Sequence, residues 1–77
     1  MSDKGLPVVN AKEVVKVLEK VGFKRTRQSG SHAVYKRESD HRRTIVPIHP
    51  RKSLKRKTLK SIVNDAGLTA EEFKKLL

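Results

Sequence analysis

Apolar residues recur as Val14, Val17, Leu18 and Val21, the spacing that lays one stripe along a helix. Lys12, Lys16 and Lys20 repeat at four-residue intervals on another face. Asn10 precedes the stripe and Glu13 follows three residues later, a pair able to satisfy the free amides of a first turn. Together these predict a helix over 10–21, stopped at Gly22. The period then shortens. FKRTRQSGSHAVYKR sets Phe, Thr, Val and Tyr among polar residues and breaks at Ser29-Gly30, which predicts a β-hairpin with strands at about 23–28 and 31–37. Glu38 to His41 form a polar turn, and Arg42 to Val46 predict a third strand. Pro47 lacks the amide proton a ladder needs, so it belongs at a strand end or edge. Helical spacing returns with Leu59, Ile62, Val63 and Ala66, closed by Gly67. Thr69 and Glu72 repeat the capping pair before a short last helix, with Phe73, Leu76 and Leu77 as its apolar side.

The order is helix, three antiparallel strands, helix, short helix. A small sheet with helices on one face is the economical two-layer solution, so the expected class is α+β. Residues 1–9, containing Gly5 and Pro7, read as a loose lead-in, and residues 10–77 as one domain. The alternation leaves the sheet's two faces undecided. His32 and Val34 share one face of their strand, Ala33 and Tyr35 the other, and both carry apolar groups.

Charge changes the picture most. Nineteen Lys and Arg face eight Asp and Glu among 77 residues, a formal net charge of +11. So much like charge on a small surface repels itself, and a polyanion relieves the repulsion. Nucleic acid is the first candidate partner; an acidic protein is the alternative. No cysteine is present, which excludes disulfides and thiolate metal sites and fits a reducing cytoplasm. No apolar run approaches membrane-spanning length, the first ten residues are not of signal-peptide type, and no basic helix carries large aromatic anchors. A membrane partner is therefore not expected. Three histidines without a metal-ligand spacing imply neither metal nor cofactor. With two Phe and one Tyr in the chain, Tyr35 is the one plausible base stacker. Contact with the nucleic-acid backbone is thus expected more than base reading.

Arg25, Arg27, Lys36, Arg37, Arg42 and Arg43 load the hairpin and third strand; Arg51, Lys52, Lys55, Arg56, Lys57 and Lys60 crowd the second helix's approach. Cations at a helix start oppose its dipole, an arrangement suited to a bound anion. Among the histidines, His41 reads as a turn residue, and His49 as a loop residue or a phosphate contact. His32 starts a strand beside a tight turn, amid cations. It is either a structural strand histidine or a general acid–base group for RNA cleavage. Arg27 and Lys36 are its nearest candidate phosphate contacts, with Lys55 and Arg56 at the helix approach.

The ordered set KEVVKVLEKVGF, RQSGSHAVYKR, RTIVPIH and LKRKTLKSIVNDAGLTAEEF resembles the HicA toxins, small mRNA interferases of type II toxin–antitoxin modules. The resemblance spans residues 10–77. It implies a double-stranded-RNA-binding-domain-like α-β-β-β-α fold with a short extra C-terminal helix. It also implies metal-independent endonucleolytic cleavage of mRNA, with arrested translation. By the same resemblance, His32 is the catalytic residue, Gly30 the supporting turn and Ser31 part of the RNA-contacting motif. A HicB-like antitoxin covering the active site is the implied protein partner. The chain departs from many relatives in carrying Arg56-Lys57 where they have Pro-Gly. A non-catalytic RNA-binding module on the same fold is the alternative.

Overall fold

Each predicted element forms, with ends set by local chemistry. The computed structural model describes residues 6–49 and 51–77. Helix α1 is Ala11–Lys20, strands β1, β2 and β3 are Lys24–Ser29, His32–Arg37 and Arg42–Pro47, and helices α2 and α3 are Arg56–Asp65 and Ala70–Leu76. At the start of α1 the Glu13 amide donates to Asn10 Oδ1 at 2.9 Å, and the Asn10 amide donates to Glu13 Oε1 at 3.0 Å. Thr69 and Glu72 close the same reciprocal pair on α3. Helix α2 lacks such a cap: Lys55 occupies the cap position, makes no side-chain cap bond, and no acid stands in the first turn.

The hairpin differs slightly from expectation. Ser29 stays in β1, and the turn is Gly30-Ser31. Gly30 takes a positive φ of 58° at the first of the two turn positions, where a short hairpin of this kind wants glycine.

Antiparallel strands in the order β1-β2-β3 make one sheet. One face is covered. Val14, Val17 and Leu18 of α1, Leu59, Ile62 and Val63 of α2, and Phe73 of α3 are buried with Ala33, Tyr35 and Val46 of the sheet. Fully burying a side chain of this size contributes roughly 1.5–3 kcal/mol. The one buried polar residue among those described, Thr44, donates its hydroxyl to Asp65 Oδ2 at 2.9 Å. Residues 6–9 adopt neither helix nor strand, yet Leu6 and Val9 are buried, and the Leu54 amide donates to the Val9 carbonyl at 2.8 Å. Of the lead-in read for residues 1–9, residues 1–5 lie outside the described residues. Leu77, expected on the apolar side of the last helix, is 47% exposed. Among the described residues no helix is long and apolar enough to cross a membrane.

A bulge decides what the uncovered face displays. Arg25 pairs with Tyr35, but the next partner, Val34, faces Arg27, so Thr26 is the extra residue. Strict alternation from Arg25 would put Arg27 on the helix side. The inserted residue moves it to the other side, with Val34 and His32.

Two of the basic residues serve the fold. Arg37 donates to Asp40 through Nε and Nη2, to the Val21 carbonyl at 2.9 Å and to the Ala66 carbonyl at 3.3 Å. Its guanidinium also lies 4.7 Å from the Phe23 ring centroid. Arg42 pairs with Asp40 at 3.2 Å and donates to the Asp65 carbonyl.

Candidate functional site

His32 opens β2, and its placement comes from the backbone on both sides. It pairs with Ser29 across the tight turn and with Pro47 of β3. The turn is braced: Arg25 Nη1 donates to Gln28 Oε1 at 3.1 Å, and Gln28 Nε2 donates to the Gly30 carbonyl at 3.2 Å. The Ser31 carbonyl accepts from the Ile48 amide, which ties the turn to the segment after β3. His32 is exposed, and its ring has no hydrogen bond among the described residues.

The imidazole stands where two open clefts meet. One, of about 460 Å³, lies on the uncovered sheet face between Thr26, Arg27, Ser29, His32, Val34, Lys36, Arg43 and Ile45. The other, about 440 Å³, lies between the end of β3 and the start of α2; His32, His49, Lys52, Ser53, Lys55 and Thr58 are among its walls. Both are basic, and neither is lined by a carboxylate. The second also meets the uncapped start of α2, whose free amides carry the positive end of the helix dipole. An exposed imidazole flanked by cations can exchange a proton with a bound polyanion while the cations hold its charge.

The family model described as HicA toxin of bacterial toxin-antitoxin matches residues 11–68. The chain belongs to the HicA toxin family. The match runs from the first residue of α1 past the end of α2, so it takes in the whole sheet and His32. No curated protein matches the chain. HicA toxins act within toxin–antitoxin systems, and their partner is an antitoxin.

On this HicA fold the residues singled out from sequence separate into groups. Arg27 and Lys36 join His32 in the sheet-face cleft, while Lys55 meets it in the cleft at α2. Gly30 and the half-buried Ser31 form the turn that precedes it. Arg56 is exposed on the first turn of α2 and lines neither cleft. Arg37 and Arg42, grouped with the site cations from sequence, are clamps of the fold. Tyr35 is no stacking platform. It is 4% exposed in the core, and burial pushes its phenol pKa up. Lys52, one of the cations at the helix approach, lines the cleft at α2, and Thr26, Ser29, Ile45, Ser53 and Thr58 line the clefts without having been singled out for chemistry. The alternation of β3 carried a signal for Ile45, an apolar residue between buried Thr44 and Val46.

Proposed function

We propose that this toxin is a metal-independent endoribonuclease that cuts mRNA and thereby stops translation. Its catalytic residue is His32, and Arg27, Ser31, Lys36, Lys55 and Arg56 hold the RNA. The observation that carries this reading is the position of His32 at the junction of two basic clefts. His32 withdraws the proton from a ribose 2′-hydroxyl. The 2′-oxygen attacks the adjacent phosphorus, the bond to the 5′-oxygen breaks, and that oxygen takes up a proton. The products are a 2′,3′-cyclic phosphate and a 5′-hydroxyl end. The proton that His32 has taken up returns to the leaving 5′-oxygen, so one histidine acts first as base and then as acid. The cations stabilise the charge that builds on the phosphate. The antitoxin partner silences the toxin by covering His32.

The test compares wild type with His32→Ala on a defined RNA in EDTA. Wild type should cut, and the variant should bind RNA but cut at least about a hundredfold more slowly, the usual scale for losing a proton-transfer group. A 2′-deoxy residue at the cut position should block the reaction. Equal cutting by both proteins would remove His32 from the mechanism, and binding without cutting by wild type would leave an RNA-binding module. Loss of wild-type activity in EDTA would put a metal in the reaction.

A further inference from the structure

The pairing register arranges the uncovered sheet face in three cross-strand rows. Lys24, Lys36 and Arg43 lie side by side; Arg27, Val34 and Ile45 form the next row; Ser29, His32 and Pro47 the last. Adjacent strands are about 4.8 Å apart, and successive rows along a strand about 7 Å. No acidic residue occupies any of these positions. The two ion pairs among the described residues both fall on Asp40, which is not on this face. Like charges facing each other across strands cost roughly 0.2–1 kcal/mol per pair. The first row therefore holds three cations together with nothing in the sheet to offset them.

The middle row is different in kind. Val34 and Ile45 are direct partners, Val34 is half-buried, and Ile45 is 43% exposed. They form a small apolar seat bordered by cations on one side and by His32 on the other.

We propose that this face seats a single RNA strand, with one unpaired base resting on the Val34–Ile45 pair. Its flanking phosphates lie on the Lys24–Lys36–Arg43 row and Arg27. The proposal rests on the ribonuclease reading and adds a path and a substrate class to it. In a duplex the flat faces of the bases are stacked inside, beyond the reach of an aliphatic pair on a sheet; an unpaired base presents its face freely. The three aromatic residues of the chain, Phe23, Tyr35 and Phe73, are all buried. The seat therefore works by removing apolar surface from water. A strand running over it enters the active site one row later, at His32.

Binding is measured on the His32→Ala protein, which does not consume the probe, with a short unstructured oligoribonucleotide and with a duplex hairpin of matched length. The parent should prefer the single strand. Ile45→Ala should weaken single-strand binding roughly fivefold, about 1 kcal/mol, with an unchanged salt dependence. Lys36→Gln combined with Arg43→Gln removes two phosphate contacts and should make the log–log salt slope shallower by about 1.4. Thermal melts verify that the variants fold, and the double variant should melt at or above the parent temperature because the row's repulsion is relieved.

If the parent binds RNA and wild type cuts it, but neither variant changes affinity or slope, the seat is wrong and the ribonuclease reading stands. Equal affinity for duplex and single strand overturns the seat as well. So does equally tight binding of a polyglutamate peptide at the same salt, which would mark a surface for acidic protein. If the parent binds no RNA at low salt, the ribonuclease reading fails and the seat fails with it.

Discussion

Gly30 and Gly67 both have positive φ, at 58° and 74°, but their surroundings set different costs for a side chain. A Cβ at Gly30 would meet nothing within 4 Å. Gly30→Ala should therefore lose only the left-handed backbone preference, about 1 kcal/mol, and Gly30→Asn less. A Cβ at Gly67 would come within 3.1 Å of the Arg42 guanidinium. That group is held by Asp40 and the Asp65 carbonyl, so Gly67→Ala adds displacement of a bound side chain to the same strain. Urea unfolding should rank Gly67→Ala below Gly30→Ala in stability; the reverse order would mean that the hairpin turn carries contacts of its own. The two variants should also separate in activity. Gly30 precedes His32 by two residues, whereas Gly67 lies at the far end of α2 from the clefts.

At the scale of elements, α2 is built against its own dipole. It begins with Lys55, Arg56 and Lys57, without a side-chain cap or a first-turn acid. Replacing Lys55 with Ser supplies the missing acceptor, and the free protein should gain about 0.5–1 kcal/mol in chemical denaturation. The same change removes a cation from the cleft it shares with His32 and should weaken RNA binding with a shallower salt slope. Opposite signs in the two measurements would show that the helix start is shaped for an anion at the expense of stability. The elements themselves were legible in the sequence because their signals are local. Asn10 with Glu13 and Thr69 with Glu72 cap by direct contact, and the stripes on α1 and α2 bury at the expected positions. His32 stood out by its turn and its motif. Arg27, Lys36 and Lys55 could be named as its neighbours from charge and nearness in sequence, but the bulge that puts Arg27 on the His32 face leaves no mark in composition: Thr26 alone moves it there. Nor did the sequence show that Arg37 and Arg42, grouped there with the basic residues of the hairpin and third strand, serve the fold. Their partners are backbone carbonyls as far away as the ends of α1 and α2.

Across the whole molecule, Asp40 and Arg37 connect parts that no single element joins. The Arg37 guanidinium reaches the carbonyl after α1, the carbonyl after α2 and the Phe23 ring, and Asp40 in the β2–β3 turn holds it there. The hydrogen bond from Arg37 is the main cause that draws the Asp40 carboxyl down to about 2, helped by the Arg42 amide and the charges of both arginines. A carboxyl whose pKa is lower in the folded chain than in the unfolded one stabilises the fold above its unfolded value. That contribution disappears as pH falls through the folded value. The stability gap between wild type and Asp40→Asn should therefore stay constant from pH 7 to about 5 and close below about pH 2. Because Asp40 is solvent-exposed, the gap should be small and should shrink in high salt. Arg37→Ala loses two carbonyl contacts and the ring contact besides the ion pair, so its deficit should persist at acid pH. Thermal melts of the three proteins across that range separate the two contributions. A gap for Asp40→Asn that survives below about pH 2 would mean that the aspartate acts through its shape in the turn and not through its charge.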